Sequence, residues 1–121
     1  MKLLLVDDDA FLRDMYATKF IESGHQVDTA TDATEAMRSI KEADYDVVLL
    51  DMIMPGMSGL DLLAEIKKLG LTNSTKYVVL SNQSEAGDQS AAKEAGAVGY
   101  IIKAEVIPSE VVKRVEELCS K

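Results

Sequence analysis

Apolar and polar positions along this chain follow two rhythms. Short apolar runs stand at Leu3–Val6 (LLLV), Asp46–Asp51 (DVVLLD), Tyr77–Ser81 (YVVLS) and Gly99–Lys103 (GYIIK), with Gln26–Ala30 (QVDTA) a more polar fifth. Runs such as VVLL and VVL, with little polar interruption, are what strands covered on both faces require. Between them apolar residues recur at helical spacing. Leu12, Met15, Tyr16 and Phe20 share one face, and Gly24 follows as a stop. Ala33, Ala36, Met37 and Ile40 repeat the spacing behind Asp32, with Glu35 placed to complete a capping box. Ser58, with Asp61 three residues on, caps a third helix through Leu62, Leu63 and Ile66. Val111, Val115, Leu118 and Cys119 mark a last one, which Pro108 opens. The stretch from Glu85 to Ala95 is Ala-rich and polar, the weakest of the helical signals.

Strict alternation of strand and helix implies parallel pairing through right-handed crossovers. The predicted architecture is α/β: a doubly wound, five-stranded parallel sheet with helices on both faces, forming a single domain over residues 1–121. Ligands of such sheets sit at the C-terminal ends of the strands, near the topological switch point.

That rule gives meaning to an otherwise awkward feature. Asp7, Asp8 and Asp9 follow the first apolar run directly, and no residue within Leu3–Phe11 balances them. Asp7 and Asp8 end strand one, Asp51 strand three, Ser81 strand four and Lys103 strand five, all on the ligand edge. Three carboxylates, a hydroxyl and an ammonium are therefore expected in one shallow cleft. Facing carboxylates repel unless a cation compensates. Oxygen-only donors suit Mg²⁺, and no His or Cys is placed to favour zinc. A carboxylate beside Mg²⁺, Lys and a hydroxyl is arranged to attack phosphorus and form an acyl phosphate.

Other polar residues have simpler explanations. Asp9 reads as the N-cap of helix one, Asp44 and Asp46 as turn residues, His25 as a surface residue at a strand entry, and Cys119 as a small apolar residue on a helix. A lone cysteine cannot form an internal disulfide, which fits a reducing, cytoplasmic setting. No segment reads as a signal peptide or a membrane span. The net charge of −8 comes without any Lys/Arg cluster, so direct nucleic-acid binding is not expected.

At this point the residues match a family. LLVDD near the N-terminus, LLDMIMPGMSG headed by Asp51, VVLSN with Ser81, and GYIIK with Lys103 occur in order across essentially the whole chain. The chain resembles a response-regulator receiver domain, the phosphoacceptor module of two-component signalling, of the stand-alone chemotaxis type. The resemblance implies the flavodoxin-like receiver fold and a signalling role rather than that of a turnover enzyme. It implies Asp51 as phosphoacceptor and Mg²⁺ held by Asp8, Asp51 and the Ile53 backbone carbonyl, with Asp7 acting mainly through water. Ser81 is similar to the family's switch hydroxyl, Lys103 to the Lys that pairs with the phosphoryl group, and Tyr100 to the aromatic that turns inward with Ser81. The implied partners are a histidine kinase or phosphotransfer protein upstream and a protein target downstream. Phosphorylation would bias the surface of helix four, strand five and helix five.

Three departures from the family pattern stand out. Ala104 occupies the place of the usual Pro after the Lys. The cis form of that bond would cost about 3–4 kcal/mol with Ala, so a trans Lys103–Ala104 bond is expected, with Lys103 still reaching Asp51. Ile53 and Gln83 fill the variable positions flanking the phosphoryl site, and apolar Ile53 cannot orient a water, so slow autodephosphorylation is expected. Asn82 stands where a small residue is common and is placed to tune the switch.

Rival classes remain. Asp7 and Asp9 form the Asp-x-Asp of a haloacid-dehalogenase-type phosphohydrolase, with Asp7 as nucleophile, but the chain lacks room for that enzyme's cap. A pseudo-receiver adaptor would not need Asp8, Asp51, Ser81 and Lys103 together. A flavodoxin would place a hydroxyl- and Gly-rich phosphate loop where Asp7–Asp9 stand.

Overall fold

The computed structural model describes residues 1–70, 74–82 and 86–120. Its strands are β1 (Lys2–Val6), β2 (Gln26–Ala30), β3 (Val47–Leu50), β4 (Lys76–Ser81) and β5 (Gly99–Ile102). Its α-helices are α1 (Ala10–Glu22), α2 (Ala33–Glu42), α3 (Gly59–Lys68), α4 (Ala86–Glu94) and α5 (Pro108–Cys119). The strands form one parallel sheet in the order β2-β1-β3-β4-β5. The order reverses between β1 and β3, so the switch point lies where Asp7 and Asp51 emerge.

Alternate residues of each inner strand feed opposite faces, as the two-residue period of a strand demands. Leu3, Leu5, Val47, Leu49, Val78, Leu80 and Ile101 pack with Tyr16 and Phe20 of α1 and Val111, Val112 and Val115 of α5. Leu4, Val6, Val48, Leu50 and Val79 pack on the other side with Ala33 and Ala36 of α2, Leu62, Leu63 and Ile66 of α3, and Ala92 of α4. Each fully buried Leu, Ile or Phe contributes roughly 1.5–3 kcal/mol of transfer free energy. Edge strand β2 is mostly exposed, which explains its polar sequence.

Local signals decide most helix boundaries. The Asp9 carboxylate accepts from the Leu12 amide at 3.1 Å to start α1, and Gly24 adopts φ +91° after its end. Ser58 and Asp61 form the reciprocal capping box of α3. Pro108 opens α5. The α2 start differs from expectation. Asp32 does accept from the Glu35 amide at 2.9 Å, but the Glu35 carboxylate turns to the Thr31 hydroxyl and amide, so no reciprocal box closes. The Thr31 hydroxyl gives that carboxylate a closer donor, at 2.9 Å.

Three strand ends are shorter than the apolar runs suggested. Asp46 and Asp51 flank β3, and Lys103 opens a 3₁₀ turn (Lys103–Glu105) after β5. The Asp51 amide nevertheless donates to the Val6 carbonyl at 3.1 Å, and that of Asp7 to Ala30 at 3.1 Å, holding both loops in line with the ladder. The Lys103–Ala104 peptide is trans, as expected without Pro. His25 departs from the surface role. Its ring, 10% exposed, lies between the Met1 amino group at 3.1 Å and Glu116 of α5 at 2.7 Å.

Candidate functional site

The C-terminal edge of the sheet brings Asp8, Asp51, Ser81 and Lys103 to a cleft of about 400 Å³, with Asp7 buried behind Lys103 and beside Asp8 and Asp51. Asp7 leaves β1 fully buried. Its Oδ1 accepts from the Asp9 amide at 3.0 Å and its Oδ2 from the Lys103 ammonium at 2.7 Å. Asp51 leaves β3 half-buried; its Oδ2 accepts from Lys103 at 2.9 Å and its Oδ1 from the Ile53 amide at 3.2 Å. Asp8 is exposed at the cleft mouth. One carboxylate oxygen from each of Asp7, Asp8 and Asp51 lies within 4.8 Å of the others.

Lys103 reaches this cluster across the sheet with its side chain only 6% exposed. Burial works to lower its pKa, but hydrogen bonds and charge from Asp7 and Asp51 outweigh burial and hold it above the usual 10.5. The lysine is therefore a fixed cation. Oxygen-only donors at this spacing, with one exposed carboxylate open to solvent, fit a hard divalent cation such as Mg²⁺ that keeps several waters.

Ser81 ends β4 buried, and its side chain hydrogen-bonds that of Tyr100 on β5. Tyr100 packs half-buried against the core under α2, α3 and α4. Burial chiefly, then the Asp88 charge, raises its pKa against the lowering effect of Ser81. Ile53 stands at the rim, 59% exposed, and Asn82 is exposed beside it. Gln83 lies outside the described residues.

Three contributors carried no readable signal. Tyr16 of α1 is buried close enough to Lys103, Asp7 and Asp51 to feel their charges, although its raised pKa comes first from burial. Gly59 opens α3 directly against the Asp51 backbone: a Cβ there would stand 2.0 Å from the Asp51 carbonyl oxygen. Arg13 of α1 donates from Nη1 to the Asp7 carbonyl at 2.9 Å. Periodicity marks Tyr16 as core and leaves Gly59 and Arg13 as ordinary helix residues, because their roles depend on long-range packing.

Residues 3–116 match the response regulator receiver domain family. The chain is 39% identical over 103 residues to the two-component response regulator PhoP of Pseudomonas aeruginosa, covering 85% of this chain and 45% of that protein. It is 33% identical over 117 residues to the transcriptional regulatory protein ResD of Bacillus subtilis, covering 97% of this chain and 47% of that protein. The chain thus spans about half the length of these curated relatives. Among solved structures it is similar to a CheY-like receiver domain protein from Methanospirillum hungatei, at 26% identity and TM-score 0.89, covering 98% of this chain and 93% of that one. It is also similar to response regulator TrrA of Thermotoga maritima, solved in complex with Mg²⁺–BeF, at 30% identity and TM-score 0.84, covering 97% of both chains.

Proposed function

Taking as premise that this chain belongs to the response regulator receiver domain family, we propose that it accepts a phosphoryl group on Asp51 from a phosphohistidine. The donor is a histidine kinase or phosphotransfer protein. A carboxylate oxygen of Asp51 attacks phosphorus, the P–N bond breaks, and its electron pair stays on the imidazole, which is protonated as it leaves. The product is an aspartyl phosphate. Asp8, Asp51 and the Ile53 carbonyl would hold Mg²⁺, which would supply charge neutralisation for the transferring group. Asp7 acts through water, in keeping with its two carboxylate oxygens already engaged by the Asp9 amide and Lys103.

The observation that carries this reading is Lys103, whose ammonium lies 2.9 Å from Asp51 in a buried setting. A fixed cation beside the nucleophile stabilises charge on the transferring group without reorganisation. Ser81 then bonds the new phosphoryl group and releases Tyr100 to settle inward, biasing the surface of α4, β5 and α5 toward a downstream protein. Among the described side chains of α4 only Ala92 is buried, which suits an element that moves. The protein acts as a signalling switch, catalysing only its own phosphorylation and slow autodephosphorylation, and works in the cytoplasm.

The test is incubation with Mg²⁺ and acetyl phosphate, followed by peptide mapping of the modified residue. Modification of Asp51, lost in Asp51→Asn and retained in Asp9→Asn, is expected. A phosphoryl group on Asp7 would favour the dehalogenase-type chemistry instead, and no uptake at all would favour an unphosphorylated adaptor.

A further inference from the structure

Arg13 turns back onto the acidic loop. Its Nη1 donates to the Asp7 carbonyl at 2.9 Å, and its backbone amide donates to the Asp9 carbonyl at 2.9 Å. The amide bond is the first turn of α1, which any residue here would make; the bond from Nη1 is the one that depends on arginine. Within that segment the Asp9 amide donates to Asp7 Oδ1, and the Asp9 carboxylate caps α1.

The bond to the Asp7 carbonyl matters most for Asp8. That carbonyl and the Asp8 amide belong to one planar peptide unit. Restraining the C=O restrains the tilt of that plane, and with it the point from which Asp8 leaves the backbone. The Asp8 carboxylate is exposed, and among the described residues no donor side chain holds it. Its convergence with Asp7 and Asp51 therefore depends on the backbone beneath it.

We infer that Arg13 is a positioning residue for the phosphoacceptor site, orienting the Asp7–Asp8 peptide so that Asp8 meets Asp7 and Asp51 around a divalent cation. The inference rests on the Mg²⁺-dependent function proposed above. Arg13 has two effects on a cation in the cleft, and they differ in sign. As a nearby positive charge it repels Mg²⁺, so its removal would tighten binding. As the clamp on the loop it assembles the ligands, so its removal would weaken binding. A purely structural role would leave the affinity of the folded protein unchanged.

The experiment is a calorimetric Mg²⁺ titration of wild type, Arg13→Met and Arg13→Lys, with acetyl phosphate uptake followed across the same Mg²⁺ range. Circular dichroism verifies that each variant is folded. In Arg13→Met the Mg²⁺ dissociation constant should rise at least threefold. Uptake should slow at low Mg²⁺ and recover most of its rate at saturation. Arg13→Lys keeps the charge but not the rigid planar fork, and should recover only part of the affinity. Unchanged or tighter Mg²⁺ binding in folded Arg13→Met overturns the assignment. If the Met variant does not fold, Arg13→Lys carries the test, weakened binding supporting the assignment and wild-type affinity overturning it. A wild type that binds no Mg²⁺ overturns the metal-dependent function itself, and Arg13's role with it. A wild type that binds Mg²⁺ beside unaltered variants overturns the role of Arg13 alone.

Discussion

Lys103 stands between Asp7 and Asp51, its ammonium 2.7 Å from one carboxylate and 2.9 Å from the other. The three side chains form one row, buried to 6%, 2% and 13% exposure for Lys103, Asp7 and Asp51. The same ammonium holds the fold at the switch point and faces the proposed phosphoacceptor.

Removing that cation leaves two buried carboxylates opposed. Breaking a buried pair in this way typically costs about 3–5 kcal/mol. Lys103→Met should therefore lose about 3 kcal/mol in chemical denaturation without Mg²⁺. Millimolar Mg²⁺ should restore more stability to the variant than to wild type, since a second cation then compensates the same charges. A variant within 1 kcal/mol of wild type would mean that water screens the row well enough without the lysine.

Alkaline pH probes the same row. The folded pKa of Lys103 lies above its ordinary 10.5. Its stabilisation is therefore full below 10.5 and is lost as pH rises through the higher folded value. Tyr45 and Tyr77, pushed up to about 12 chiefly by burial, act in the same direction, losing their contribution between their ordinary 10 and about 12. Comparing wild type with Lys103→Met, both carrying Tyr16→Phe because the Lys103 charge also lowers the Tyr16 pKa, removes this shared background. Over roughly pH 9 to 12 wild-type stability should fall more steeply, and equal slopes would show that the lysine gains nothing from its partners.

Gly59 fits directly against the backbone of Asp51. An added Cβ would meet the Asp51 carbonyl oxygen at 2.0 Å and its carbon at 2.8 Å, and backbone cannot swing aside as a side chain can. Gly59→Ala should destabilise the protein by about 1–3 kcal/mol and slow phosphoryl uptake in the fraction that folds. Melting curves with parallel acetyl phosphate assays measure both. Uptake at the wild-type rate would show that α3 shifts without moving Asp51.

Ile53 offers no hydrogen bond from its side chain at the rim of the cleft. Ile53→Asn places a donor and an acceptor there, able to orient a water toward the acyl phosphate. The lifetime of phosphorylated protein, followed by loss of radiolabel, should shorten at least a few-fold, against the 10²–10⁴-fold that a fully positioned general base supplies. An unchanged lifetime would move control of hydrolysis to other residues of the cleft.

The strands and most caps were legible because they depend on neighbours in sequence. LLLV and VVLL must be buried on both faces, and Ser58 with Asp61 closes its own box. The strand-end residues were legible because parallel topology puts every strand terminus on one edge. Other features join residues far apart in the chain. The His25–Glu116 contact spans 91 positions and depends on how α5 packs beside α1, whose end His25 follows. The bond from Tyr45 to Asp28, 2.7 Å long, and the fit of Gly59 to Asp51 likewise exist only once the sheet is assembled. Glu35 shows the converse, where a local rule named the right residue but a neighbouring hydroxyl took its carboxylate.

The alternation of Leu3 and Leu5 to one face of β1 and Leu4 and Val6 to the other divides the interior into two chambers with a shared wall. Among the described residues the buried side chains fall into two separate clusters, with the main chain of the sheet between them. A methylene removed beneath α5 leaves a void that nothing beneath α3 can move in to fill. Losses from truncations in the two chambers should therefore sum, whereas two truncations within one chamber should interact. The acidic edge is the rim common to both, with Arg13 and Tyr16 of α1 supporting it from one chamber and Gly59 of α3 from the other.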